Sequence, residues 1–280
     1  MYANSIPYDG CAMRTTSDTS SDTSGDTSGD TSGDTSASFG GSAAVARSME
    51  LLWGTKPAPT RGRKPGLTLD QIVAAAIEVA DAEGLDGLSM RRVADALGVG
   101  TMSLYRYVPS KAELHDLMLD AVTGEDLPMD LTTGGWRAGL ERYGRLSVEG
   151  YLRHPWLLRA SLTRGAMGPN QATALDAVLA AVDGIGLNSG QMMAVVELVT
   201  RYAQGVARER IEAAAAQRGG GQSDEQFWAE YAPLLDRHLD QRRFPALTAL
   251  WRDENSTWVD SFDFGLATIL DGVARLVDGA

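Results

Sequence analysis

The stretch GVGTMSLYRYVPSK, residues 98–111, decides how this chain is read. It opens on Gly98, a residue free to take a left-handed turn. Short polar side chains follow at Thr101 and Ser103, then Tyr105, Arg106 and Tyr107, a break at Pro109 and a positive charge at Lys111. Immediately upstream, Ser89 is a good N-cap, Val93, Ala96 and Leu97 make an apolar stripe, and Gly98 closes that helix. A second short helix starts two residues later, near Thr101, with Leu104 and Val108 as its buried positions. Ser110 then caps a third, from Lys111 to about Val122, whose apolar face is Leu114, Leu117, Met118 and Ala121. Ahead of all three, Leu69, Ile72, Val73, Ala76, Ile77 and Ala80 recur at helical spacing and stop at Glu83 and Gly84. A helix, a glycine turn and a second short helix form the helix-turn-helix pattern, although any packing of three small helices can produce the same spacing.

Charge separates the two readings. The chain carries 37 Asp and Glu against 25 Lys and Arg, a formal net charge of −12. That total argues against nucleic acid, but binding depends on a local patch. Arg61, Arg63 and Lys64 precede the first of these helices, and Arg91, Arg92, Arg106 and Lys111 outnumber Asp95. With Leu104 and Val108 turned inward, Thr101, Met102, Ser103, Tyr105, Arg106 and Tyr107 lie on the other faces. Short side chains at a helix start let the backbone approach base edges in a major groove. Tyrosine hydroxyls and a lysine at the next helix start suit phosphate oxygens. The basic run holding Arg63 and Lys64 reads either as an arm reaching a minor groove or as a solubilising linker.

Much of the acid lies elsewhere. Residues 17–36 read SDTSSDTSGDTSGDTSGDTS, a Ser/Thr/Asp/Gly repeat without an apolar residue, and six Asp face only Arg14 in the first forty residues. Such a segment cannot bury enough surface to offset its chain entropy, so residues 1–60 are expected to be a disordered low-complexity tail and linker. The tail is either inert or an acidic arm that competes with DNA for the basic patch. Residues 61–122 form the expected helix-turn-helix domain and 123–280 a second helical domain. In that second half, helical periods near 136–151, 171–182, 191–216, 224–241 and 256–277 are separated by Gly, Pro and Asn loops, and no strand alternation survives counting. The expected fold class is all-α.

Several function classes find no support. GxxxxGK[ST], GxSxG and HExxH are absent, so no catalytic residue is nominated and an enzyme is not expected. A single cysteine, Cys11, and three widely separated histidines, His115, His154 and His238, give no metal site and no expected cofactor. There is no run of about 20 apolar residues and no signal-peptide pattern, which suits a cytoplasmic protein without a membrane partner.

Residues 88–111, LSMRRVADALGVGTMSLYRYVPSK, together with the preceding EGLDGLS and the following Lys111-Ala-Glu-Leu, resemble the DNA-binding segment of the TetR family of bacterial transcriptional regulators. The resemblance spans roughly 67–122. Weaker likeness continues in His154-Pro-Trp156 and in the segment from Phe262 to Leu266. It implies that Met90 and Arg91 lie near phosphate or base edges, that Thr101, Met102 and Ser103 read bases, and that Tyr105, Tyr107 and Lys111 grip the backbone with Arg106 between them. Met102 departs from this scheme, since it offers only apolar contact, for example with a thymine methyl. The resemblance further implies a homodimer bundled through the helices near 191–216 and 256–277, a small-molecule effector, and a ligand-favoured conformation that no longer fits double-stranded operator DNA. In the last helix Gly265 and Gly272, seven apart, would permit close helix approach. Aromatic and methionine side chains suit an apolar pocket but equally fill cores. The candidates for ligand contact are Tyr143, His154, Trp156, Met167, Met193, Glu197, Arg201, Trp228 and Phe262, with Glu197 and Arg201 also spaced to pair with each other. The function expected from all this is a ligand-responsive, homodimeric repressor on a pseudo-palindromic operator; the alternative is a helical regulator acting through protein partners or as an activator.

Overall fold

The computed structural model describes residues 42–54, 67–160, 165–220, 224–253 and 260–279. Among these residues the chain forms eleven α-helices, one 3-10 turn and no strand, so the fold class is all-α. The helices are α1 (Ser42–Leu52), α2 (Leu69–Gly87), α3 (Met90–Ala96), α4 (Thr101–Tyr105), α5 (Lys111–Gly124), α6 (Gly135–Arg153), α7 (Pro169–Ala181), α8 (Ser189–Gly220), α9 (Asp224–Asp236), α10 (Pro245–Trp251) and α11 (Ser261–Asp278). The 3-10 turn, Pro155–Arg159, follows α6. No helix among the described residues is long and apolar enough to cross a membrane.

Local chemistry explains where α2, α3 and α4 start and stop. Thr68 caps α2 in a reciprocal box: its hydroxyl accepts from the Gln71 amide at 3.2 Å, while its own amide donates to the Gln71 side chain at 3.0 Å. Gly84 adopts φ 72° and interrupts α2 at the expected position, and one further turn runs on to Gly87. Ser89 caps α3, its hydroxyl accepting from the Arg92 amide at 3.2 Å. Gly98, at φ 66°, makes the turn between α3 and α4. A side chain at either glycine would be strained in this left-handed region.

The apolar residues form two cores. One joins α2, α3, α4 and α5 through residues such as Ile72, Val93, Leu104, Val108, Leu114 and Met118. The other joins α6, α7, α8 and α11 through residues such as Leu140, Val178, Val199, Leu266 and Leu270. Trp156 belongs to the first core although it lies well inside the second half of the sequence. The 3-10 turn thereby plugs the second half of the chain into the first core. Asp120 ties the same halves together, since its buried carboxylate accepts from the Gln171 amide at the start of α7 at 3.0 Å. Burial raises the Asp120 pKa, against the opposing pull of hydrogen bonds from Gln171 and Asn170.

The expectation of a disordered tail and linker over residues 1–60 fails at Ser42–Leu52. This segment is α1, packed along α5, with Leu51 and Leu52 against the first core and Ser48 buried. The Asp-rich repeat lies outside the described residues. Two short elements also escaped the periodicity reading: α10 and the 3-10 turn, at seven and five residues, are too short to display a helical period.

Candidate nucleic-acid interface and sensor domain

Helix α4 is five residues long, and Gly100 gives it no side-chain cap. An isolated helix of that length is unstable in water, so its position is set by packing. Leu104 and Val108 are fully buried and anchor it. The Tyr107 and Val108 amides donate to the Leu104 carbonyl at 2.8 and 2.9 Å and close its C-terminus. What remains outside is the expected set. Met102 is the most exposed large apolar residue described, at 78%; Tyr105 and Arg106 are exposed, and Thr101 and Ser103 are half-buried. Arg106 makes no ion pair among the described residues.

Two candidate residues, Met90 and Tyr107, stand differently from expectation. Met90, the first residue of α3, is buried in the first core instead of facing outward, because it packs with the apolar residues of α2, α4 and α5. Tyr107 is half-buried against the same core, so its ring also packs the head. Lys111 is exposed, and its ammonium donates to the Leu85 carbonyl at 3.2 Å, which holds it at the junction of α2 and α5. Arg91 points to solvent and lies 3.9 Å from Asp95, one turn on. Arg92, which was not nominated, is held by Glu83. Arg63 and Lys64 lie outside the described residues.

The ligand candidates are not gathered into one cavity. Tyr143 hydrogen-bonds Thr200 at 2.8 Å, across α6 and α8. His154 is buried between two carboxylates, with Nδ1 2.8 Å from Asp81 and Nε2 3.1 Å from Glu125. Trp156 donates to the same Asp81 oxygen at 2.8 Å. These two residues therefore lock α2, α5 and α6 together rather than facing an open pocket. Burial works to raise the Glu125 pKa, but hydrogen bonds from Arg153 and His154 outweigh it and hold the carboxyl below its usual range. Met167 and Met193 are exposed. Glu197 and Arg201 pair with each other at 2.6 Å on the surface of α8. Trp228 stands in an aromatic cluster with Phe227, Tyr231 and Trp251 on α9 and α10. Phe262 is buried, stacked on Tyr202 at 5.9 Å between centroids, with Arg145 and Arg210 each 5.8 Å from its ring centre. A cavity of about 240 Å³ lies where the head meets α8, lined by Leu85, Trp156, Leu158, Arg159, Arg208 and Ile211 among others. Trp156 is the one nominated ligand residue on its wall. Sequence reasoning missed Asp81, Glu125 and Asp120, which carry the junction. None sits in a local motif; their partners are 29 to 75 residues away along the chain.

Residues 72–117 match the family described as bacterial regulatory proteins, tetR family, and residues 127–277 match the tetracyclin repressor-like C-terminal domain. The chain belongs to the tetR family. The HTH-type transcriptional repressor DrrR1 of Streptomyces coeruleorubidus is 46% identical over 238 residues, which span 85% of this chain and 88% of that protein. Among solved structures, apo ActR from Streptomyces coelicolor superposes with a TM-score of 0.62 at 28% identity, covering 78% of this chain and 99% of that one. ActR in complex with actinorhodin superposes at 0.59 with 31% identity, covering 76% and 98%. In the frame of the tetR family, α3 and α4 form the helix-turn-helix of a transcription regulator and α6 to α11 its C-terminal domain.

Proposed function

We propose that this tetR-family chain is a homodimeric repressor that binds a pseudo-palindromic operator and is released by a small, largely apolar ligand. The observation that carries the operator reading is the outward face of α4 and the start of α5. Thr101, Met102, Tyr105, Arg106 and Lys111 are presented together, while Leu104 and Val108 hold the helix from behind. One such head offers a small footprint, and a twofold dimer reading two half-sites supplies the rest.

The dimer reading is supported by the outer faces of α8 and α11. Leu198, Phe264 and Leu276 are large apolar residues left uncovered there, at 47%, 63% and 50% exposure. The two glycines of α11 divide their roles. A Cβ at Gly265 would run into the Tyr202 ring of the same chain, so Gly265 serves the contact between α8 and α11; at Gly272 a Cβ would meet nothing, which leaves that position open for close approach by a second copy. The effector reading takes its support from ActR, whose solved complexes contain actinorhodin and (S)-DNPA. A thermal-shift screen of apolar small molecules should show a ligand that raises the melting temperature and lowers operator affinity; ligands that stabilise without affecting DNA binding would remove the release mechanism.

Operator binding is tested by mobility shift on DNA flanking the chain's own gene. Binding should weaken steeply with salt. Lys111→Ala should weaken binding uniformly across sequences and reduce the slope of log K against log salt by about 1. Tyr105→Phe should also act uniformly. Thr101→Ala should change sequence preference, by about 1–3 kcal/mol at the base pair it faces. A uniform loss for Thr101→Ala would remove its base-reading role, and no salt-sensitive preference for any genomic fragment would sink the repressor.

A further inference from the structure

The residues at the reading face do not position themselves. Lys111 and the end of α4 depend on how the first turn of α5 is held, and that turn is braced from outside the helix-turn-helix. Ser110 caps α5, its hydroxyl accepting from the Ala112 amide at 3.1 Å. The same hydroxyl donates to the Glu113 carboxylate, three residues on. Glu113 is fully buried, and its other oxygen accepts from Arg47 Nε of α1 at 2.8 Å. Burial works to raise the Glu113 pKa, but the hydrogen bonds from Ser110 and Arg47 outweigh it and hold the group below its usual range. The carboxylate therefore links α1 to the N-cap of the helix that begins with Lys111.

The other end of α1 reaches the sensor half. Trp53, in the turn after α1, donates its indole N–H to the Met167 carbonyl at 3.1 Å, two residues before α7 begins. Helix α7 in turn carries the Gln171 amide that binds Asp120 of α5. One element thus touches α5 at its start and the entry of the helix that receives α5 near its end.

We infer that α1 is a clasp that sets the orientation of the reading head on the sensor domain, with Arg47 as a positioning residue for operator binding and Trp53 as the second fastening. The inference rests on the operator reading above. It goes beyond the helix-turn-helix, since α1 precedes both matched family regions, which start at residues 72 and 127. The clasp acts as a unit because Arg47, in the middle of α1, and Trp53, in the turn that ends it, lie on one short segment: release of either fastening frees α5 to tilt against α7.

The test is a double-mutant cycle on the full chain, read by operator affinity. Arg47→Ala should weaken binding about tenfold and Trp53→Phe about threefold, while the double variant should lose little more than Arg47→Ala alone, because both ends serve one coupling. Arg47→Lys should restore part of the loss. The salt slope of Arg47→Ala should stay at the wild-type value; a slope reduced by about 1 would make Arg47 a phosphate contact and overturn the clasp. Losses that multiply to about thirtyfold would overturn it too, as independent sites add in free energy. Should Arg47→Ala fail to fold, Arg47→Lys and Trp53→Phe carry the same comparison. Hydrogen exchange separates this inference from the operator reading: in Arg47→Ala the amides of residues 114–120 should exchange at least about tenfold faster, whether or not the wild type binds DNA. Unchanged exchange there removes the clasp; faster exchange in a chain that binds no operator keeps the clasp and removes the repressor.

Discussion

Leu104→Ala should destabilise the reading head by about 3 kcal/mol, within the range for emptying a fully buried leucine site. The effect should be large for a specific reason. Helix α4 has five residues and no side-chain N-cap, so its own hydrogen bonds cannot hold it. Its place is fixed by Leu104 and Val108, both without measurable exposure, packed into the α2–α5 core. Removing three carbons at Leu104 leaves a void beneath the very face that presents Thr101, Met102 and Tyr105. Urea unfolding followed by circular dichroism should show the lost stability, and operator affinity should fall with it. A variant less than about 1 kcal/mol weaker, with full DNA affinity, would mean that α4 is held by something other than its buried leucine.

Gly139→Ala should be similarly damaging in the sensor half, at about 2–3 kcal/mol despite alanine's better helix propensity. Gly139 lies in α6, and a Cβ built there would overlap the Leu131 backbone carbonyl and come within 3.1 Å of Ala181 Cβ. Neither neighbour can swing aside as a flexible side chain would. Leu131 is buried in the second core, and Ala181 is buried at the end of α7. An added methyl must therefore push the 127–134 segment and α7 away from α6, at the usual cost of overpacking a core. The gain of about 1 kcal/mol expected for Gly→Ala in an open helix is too small to compensate. The melting temperature should drop by several degrees. Gly205→Ala, on α8 with nothing near its Cβ, is the control and should be neutral or stabilising. A rise for Gly139→Ala would show that the close approach of α6 to Leu131 is not required.

The outward and buried sides of α4 were largely legible from residues 88–111. A capping serine, a glycine and the pair Leu104 and Val108 are all local signals; of the first stripe Val93 is buried and Leu97 half-buried, but Ala96 is exposed and Ala94 is buried in its place. The structure places Gly98, Leu104, Val108 and the Ser110 cap in those roles. Met90 was misjudged because its burial depends on where α3 lies against α2 and α5, which no local spacing specifies. The α1 clasp was missed because its neighbours in sequence are polar repeats and a Pro/Gly linker, and composition dominated the reading. One trace of it was present: Ser110 and Glu113 stand at the S-x-x-E spacing of a capping box. That spacing pointed to Glu113 as a first-turn partner of Ser110, but not to Arg47, 66 residues upstream.

The sensor half divides along the same line. Helical period and the glycine and proline breaks delimit α6, α7, α8 and α11 to within a few residues, because amphipathic spacing records which side of each helix is buried. They do not record what each helix is buried against. His154 and Trp156 sit at the junction with the head, Glu197 and Arg201 close on each other, and Phe262 lies between two arginines. The His154 and Trp156 contacts depend on pairings 29 to 75 residues apart, and long-range packing of this kind has no local signature, whereas the Glu197–Arg201 pair, one helical turn apart, was legible as a spacing. By itself the sequence determined most of the helices, their turns and which residues of α4 face outward. The tertiary structure alone decided which polar groups join the two halves, since a buried carboxylate finds its partner only when the helices that carry both have docked.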